Sequence, residues 1–210
     1  MQFAASRIRD GIMVGRYPPG EKLWQDRLAK ELDVSRIPIR EALFALASEG
    51  LVTLLPNRGA IVPELSEADL EELYALGMAL ESMAARRAVA QLTSIDLAVM
   101  KDAIDRMRTA HDDLPAWYSL NQTFHCTVVE ACGWPRLIKL VDGVRRSLGR
   151  YLCIPNDTVF ADNVRRWERE HLELYRACRK GDAEAVCRLI EAHWSGTHRV
   201  VKENLSIAPR

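Results

Sequence analysis

The sequence predicts a mainly α-helical chain in two parts: three short helices with a β-hairpin over residues 1–63, then an all-helical antiparallel bundle over residues 64–210. Three observations predict it. Apolar residues recur at helical spacing along most of the chain. Two short β-type runs flank the turn Pro56-Asn57-Arg58-Gly59. Beyond Pro63, helix-capping signals follow one another with short joints and no strand pattern between them.

The elements follow in chain order. Ile8 and Ile12 mark a first helix from Ser6 to Met13, and Tyr17-Pro18-Pro19-Gly20 breaks regular structure after it. Leu28 and Leu32 share one face of a second short helix, closed at Asp33. Ser35 is a suitable N-cap for a third helix, which runs to about Glu49 and stops at Gly50, with Ile39, Leu43 and Leu46 as its inward stripe. Leu51–Leu55 and Ala60–Val62 then read as a hairpin, and three helices plus a hairpin make a winged helix-turn-helix. In the bundle, Ser66 with Asp69 opens a helix to about Gln91, and Thr93 with Asp96 opens another to about Ala110. Asp113 before Pro115 starts a third that ends at Gly133, and Pro135 starts a fourth that reaches about Cys153. A fifth runs from about Thr158 to Lys180, and Asp182 caps a sixth that continues to about Asn204.

Composition narrows the function classes. Of 210 residues 48% are hydrophobic and 28% charged, an ordinary globular balance. There is no apolar run of about 18 residues and no signal-peptide pattern, so a cytoplasmic protein with no membrane partner is expected. The odd set of cysteines at 126, 132, 153, 178 and 187 has no C-x-x-C pair and lies in helical segments, as reduced, mostly buried thiols would. Net charge is zero, which argues against broad nucleic-acid affinity. Any case for DNA must come from where particular arginines stand.

That case is in Val34-Ser35-Arg36-Ile37-Pro38-Ile39-Arg40-Glu41-Ala42-Leu43. Arg36 and Arg40 share one face in the first turns of the third helix, opposite its apolar stripe, which is the end a recognition helix points at base edges. Ile37 and Pro38, between them in the chain, are further candidate DNA contacts, and Arg58-Gly59 at the hairpin tip can reach a neighbouring groove or phosphate. A planar guanidinium bonds guanine O6 and N7 together, worth roughly 1–3 kcal/mol of discrimination. The string VSRIPIREAL, with PPGEKL before it and EGLV and PNRGAIV after it, resembles the DNA-binding domain of the GntR family over nearly all of residues 5–62. The resemblance implies that Arg36, Arg40 and Gly59 contact an operator on double-stranded DNA. It also shows two departures: Asp26-Arg27 stands where many members carry Arg-Glu, and Trp24 takes a position often held by a capping Ser.

In the bundle, Asn121 and His125 are spaced i, i+4 on one helix, while His171 and His193 lie on two others. Three imidazoles from packed helices can converge on one divalent ion, or they can make three unrelated hydrogen bonds. Asn-Gln-Thr-Phe-His at 121–125, Glu170-His171, the Lys180-Gly181-Asp182 turn and Ala192-His193 resemble the FadR-type ligand-binding (FCD) domain, over most of residues 66–205. The resemblance implies a site for a divalent metal, Zn²⁺ or Ni²⁺, on Asn121, His125, His171 and His193, with a small organic-acid effector. Many members place Asp where this chain has Asn121, and an uncharged ligand implies weaker affinity. Gly77 stands where the family often directs an Arg at the pocket. Arg145, Arg146 and Arg150 lie along one helix, and at least one turned inward would anchor an effector carboxylate; a solvated basic face is the alternative.

The expected function is a ligand-responsive transcription regulator, a repressor, that binds an inverted repeat as a homodimer. A helical metalloenzyme on the same histidines is one alternative. It lacks a nucleophile elbow, H-E-x-x-H or a phosphate-binding Gly loop, and Glu170, adjacent to His171, faces another side of its helix. A dedicated metal sensor and a metal-free acyl-CoA or lipid sensor are two more.

Overall fold

The computed structural model describes residues 2–56, 59–152 and 157–207. Among these there are nine α-helices and one three-stranded sheet. The chain divides into two compact units, residues 1–66 with 146–155, and residues 67–145 with 156–210.

The first unit holds α1 (Gln2–Met13), β1 (Lys22–Trp24), α2 (Gln25–Glu31), α3 (Arg36–Ser48), β2 (Thr53–Leu55) and β3 (Gly59–Ile61). Ile8, Leu28, Ile39, Leu43 and Leu46 are completely or almost completely buried together, so the apolar spacing read from the sequence is the packing stripe of each helix. Asp33, at φ 52°, ends α2 in the left-handed region that Asp tolerates better than most residues. Ser35 takes the N-cap position of α3 with extended backbone but makes no side-chain cap bond. The hairpin strands β2 and β3 pair antiparallel, Leu54 opposite Ala60. The sheet also has a strand beyond the expected hairpin, since β1 pairs antiparallel with the other edge of β3, Leu23 opposite Ala60, giving the order β1-β3-β2.

The second unit is helical. It comprises α4 (Glu67–Ala88), α5 (Ser94–Met107), α6 (Leu114–Glu130), the first part of α7 (Pro135–Leu152), α8 (Asp157–Lys180) and α9 (Ala183–Ile207). The first helix ends three residues before the expected Gln91 and is continued by a 3₁₀ turn over Val89–Gln91. Thr93 and Asp96 form a full capping box at α5, and the Asp113 side chain accepts from Ala116 N at the start of α6. Asp182 accepts from Ala185 N at 2.9 Å and opens α9. Helix α4 packs along α9 and on α6, α5 along α6, and α8 along α5 and α9. The residues facing inward are mostly apolar, among them Leu70, Met100, Met107, Phe124, Leu174 and Ile190. Glu81, Asn121, His125, Arg145, His171 and His193 are the buried polar exceptions. Cys126, Cys132, Cys178 and Cys187 are free thiols, and Cys153 lies outside the described residues. No described helix is long and apolar enough to cross a membrane.

Candidate metal centre and DNA-reading helix

Five of the six buried polar residues of the second unit, Glu81, His125, Arg145, His171 and His193, are joined in one cluster. Asn121 and His125 come from one face of α6, His171 from α8 and His193 from α9. The three imidazoles form a triangle with centroids 5.1, 5.1 and 5.0 Å apart. One ligand atom from each lies within 4.8 Å of the other two. His125 Nε2 and His171 Nε2 are 3.1 Å apart. Two nitrogens each about 2.0–2.1 Å from one tetrahedral ion stand about 3.3 Å apart, so this pair already has the spacing of ligands to one cation.

Glu81, on α4 and fully buried, is a member of the cluster that no spacing in the sequence revealed. Its Oε1 accepts from His125 Nδ1 at 2.8 Å. Its Oε2 accepts from Arg145 Nε at 2.9 Å, Arg145 Nη2 at 2.5 Å and Trp194 Nε1 at 3.1 Å. Burial opposes a charge on Glu81, but the Arg145 guanidinium and then His125 outweigh it and bring the carboxyl down to about 2. Burial, followed by Arg145, outweighs Glu81 in the other direction and pushes His125 down to about 3. His171 is lowered well below the ordinary imidazole range by burial and by the neighbouring His193 and His125. Both rings are therefore neutral, the form that can ligate a metal. A neutral His125 donating from Nδ1 to Glu81 carries its lone pair on Nε2, toward the other rings. His193 Nδ1 is 2.6 Å from Glu170 Oε2, which frees its Nε2 in the same way.

One helical turn before His125, Asn121 Oδ1 is buried without a hydrogen bond among the described residues. Buried acceptors are seldom left so. A carbonyl oxygen and three imidazoles are a donor set that suits a borderline divalent cation such as zinc. The residues present thus fit the group that the sequence implied.

The arginines separate. Arg145 stands at the cluster, buried, with its guanidinium committed to Glu81 and lying 5.2 Å over the Trp194 ring. Arg146 falls in the first unit, where its Nη1 is 3.3 Å from Glu49 Oε1, which corrects its expected role at an effector site. The side chain of Arg150 lies outside the described residues. At Gly77 a Cβ would overlap the Trp194 ring, so Trp194 fills the space into which a longer residue at 77 would project.

In the first unit Arg36, Ile37 and Arg40 are exposed at the start of α3 and Pro38 is half-buried beside them. Phe44, one turn after Arg40 on that face, is exposed as well. Arg36 Nε lies 2.5 Å from Asp26 Oδ1 on α2, both largely exposed, while Arg27 is 2.6 Å from Glu21. The aspartate that departs from the family pattern thus holds the first candidate reading arginine. Arg58 lies outside the described residues. For Gly59 the expected operator contact needs correction. The residue is buried, and at φ 139° a Cβ would collide with the Leu23 carbonyl, so the close approach of β1 accounts for the glycine.

Comparison with known proteins decides what this arrangement belongs to. Residues 1–62 match the family described as bacterial regulatory proteins, gntR family, and residues 72–196 match the FCD domain. The chain belongs to the GntR family, with an FCD domain. A regulator from Agrobacterium vitis, encoded in the TAR-I ttuE-ttuC' intergenic region, is 38% identical over 130 residues, 60% of this chain and 75% of that protein. The transcriptional repressor RspR of Escherichia coli K12 is 26% identical over 89% of this chain and 82% of its own length. The structure of E. coli McbR/YncC superposes with a TM-score of 0.84 at 22% identity, covering 97% of each chain, a likeness of fold. A GntR regulator from Rhodococcus sp. RHA1 gives 0.76 at 24% identity over 95% of this chain and 96% of that one.

As a GntR/FCD protein the chain is a DNA-binding transcriptional regulator, and its relatives are regulators rather than enzymes, so the metalloenzyme alternative falls away. Within the FCD domain His125, His171 and His193, three of the four residues expected from the sequence as metal ligands, lie in one buried cluster, and the fourth, Asn121, is buried one turn before His125 on α6. Glu81, Trp194 and the reach of Glu170 to His193 were missed, because each contact joins different helices and leaves no mark in local spacing.

Proposed function

We propose that this regulator, of the FadR type, uses its FCD domain to hold a divalent cation, Zn²⁺ or Ni²⁺, on His125, His171, His193 and Asn121. A small organic acid bound there modulates operator affinity. The observation that supports the reading best is the convergence of three buried imidazoles, with the partnerless Asn121 Oδ1 one helical turn before His125 on α6. When bound, the cation supplies a positive charge that an effector carboxylate can ligate. The chain's own residues do the rest. Burial keeps His125 and His171 neutral, Glu81 and Glu170 take up Nδ1 of His125 and His193, and the remaining donors of Arg145 favour an acidic ligand. Asn121 brings no charge, so the metal is held less tightly than by an Asp.

The DNA-reading part, residues 1–63, works as a twofold dimer on an inverted repeat, in the cytoplasm where the DNA is. Arg36 and Arg40 reach base edges, Ile37 and Pro38 give apolar contact, and the wing tip at Arg58 meets a neighbouring groove or phosphate. The protein acts as a repressor: the effector binds the DNA-incompetent arrangement better and releases the operator. Such coupling is reciprocal and typically 1–3 kcal/mol.

The test uses full-length protein purified without a His-tag and an operator selected from random duplex DNA. Elemental analysis should find about one divalent ion per chain. Small carboxylic acids are then titrated by calorimetry, with and without operator. Weaker acid binding in the presence of DNA supports the reading. A metal response with no acid response makes the protein a metal sensor, and identical affinities in both titrations refute effector control.

A further inference from the structure

Which nitrogens face the centre of the histidine cluster is decided by two carboxylates outside the ligand set. Glu81 reaches His125 from α4, and Glu170 reaches His193 from α8 to α9. The contact is the same in both, a carboxylate oxygen on Nδ1, at 2.8 Å and 2.6 Å, and the opposite nitrogen of His125 stands 3.1 Å from His171 Nε2. A neutral imidazole has two tautomers, and only the Nδ1–H form offers Nε2 as a ligand.

We infer that Glu81 and Glu170 are positioning residues of the metal site, each accepting the Nδ1 hydrogen of one histidine and so presenting that ring's Nε2 lone pair to the cation. The inference rests on the metal reading proposed above and deepens it. Both carboxylates are themselves held. Glu81 Oε2 is fixed by the Arg145 guanidinium and the Trp194 indole, which leaves Oε1 to His125. Glu170 Oε1 is 3.3 Å from Arg166, one turn earlier on α8, which leaves Oε2 to His193. A carboxylate on the far nitrogen also raises the basicity of the ligating one, and losing such a partner typically costs about 10–100-fold in metal affinity. That the arrangement occurs twice, from unrelated helices, argues against an incidental contact.

The experiment measures Zn²⁺ affinity of the full chain by competition with a chromophoric chelator, and histidine tautomers by nitrogen-15 NMR of metal-free protein. Glu170→Gln keeps an acceptor for Nδ1–H but removes the charge, whereas Glu170→Ala removes both. Glu81→Gln alone strands the buried Arg145 charge, so Glu81 is tested as Glu81→Gln with Arg145→Met, against Arg145→Met. The expected result is a loss of about 10-fold for Glu170→Gln and up to about 100-fold for Glu170→Ala, with an unchanged thermal melt of the metal-free protein. Added Glu81→Gln should weaken Zn²⁺ by about 10-fold beyond Arg145→Met. His125 and His193 should be Nδ1–H in the wild type, and Glu170→Ala should move His193 toward Nε2–H. Wild type that binds Zn²⁺ while the Glu170 and Glu81 variants bind it equally well, or that shows His125 and His193 as Nε2–H, overturns this inference alone. Wild type that binds no Zn²⁺ overturns the metal reading and this inference with it.

Discussion

Replacing Arg145 by Met removes the counterion of a carboxylate with no access to water. Glu81 is 0% exposed and Arg145 is 6% exposed, with two guanidinium nitrogens at 2.9 and 2.5 Å from one oxygen. Two unit charges about 4 Å apart at an effective dielectric of about 20 attract by about 4 kcal/mol. Breaking a buried pair from one side costs about 3–5 kcal/mol by experience with other proteins, because the stranded charge stays desolvated. His125 and Trp194 still donate to Glu81 after the change, each worth about 1 kcal/mol, which places the loss near the lower end of that range. The measurement is urea denaturation followed by tryptophan fluorescence, mainly a probe of the FCD domain because four of the five tryptophans, Trp117, Trp134, Trp167 and Trp194, lie there and only Trp24 lies in the first unit. Adding Glu81→Gln to Arg145→Met removes the stranded charge, so the double variant should be no less stable than Arg145→Met. A cost below about 1 kcal/mol for Arg145→Met, or strictly additive losses in the double variant, would falsify the view that this ion pair anchors the cluster.

Four further outcomes are expected. Arg36→Ala or Arg40→Ala should weaken binding to the selected operator by roughly 1–3 kcal/mol per half-site while leaving the protein folded; gel-shift titration checks this, and unchanged binding by both variants refutes the recognition-helix assignment. Asp26→Asn frees Arg36 from an exposed ion pair worth at most about 1 kcal/mol and removes a negative charge from the DNA side. It should tighten DNA binding about 2–5-fold at low salt by fluorescence anisotropy, an increase that shrinks as salt is raised. Gly59→Ala forces a side chain into a φ of 139° and against the Leu23 carbonyl, and should cost at least about 2 kcal/mol in chemical denaturation together with loss of operator binding. Gly77→Ala pushes a methyl into the Trp194 ring and should cost about 1–3 kcal/mol; a melt equal to wild type would show that Trp194 moves aside freely.

Much of this molecule was legible in its sequence because the deciding forces are local. Ile39, Leu43 and Leu46 repeat at helical spacing and are the buried stripe of α3. Thr93 with Asp96 and Asp113 before Pro115 cap the helices they precede, since a cap bonds backbone only two or three residues away. Asn121 and His125 share a face because four residues is about one helical turn. The ordered string from Val34 to Leu43 pointed to the GntR family for the same reason, since nearly all of its spacing lies within α3. Where residues far apart in the chain meet, the sequence was silent. Lys22–Trp24 is three residues long and becomes a strand only by pairing with β3, some 37 residues later. Glu81 and His125 are 44 residues apart, and Trp194 meets Glu81 across 113, so no periodicity could connect them. Glu170 was expected to point to another face than its neighbour His171, but that it meets His193 on α9 was set by how two helices pack. Arg145 and Arg146 looked equivalent on paper, and rotation of the helix by one residue sent the first to Glu81 and the second to Glu49. Sequence periodicity thus determined the elements and placed Asn121 and His125 on one helix face. Tertiary packing decided which carboxylates, charges and rings surround them, because desolvation and hydrogen bonding act on what is near in space rather than along the chain.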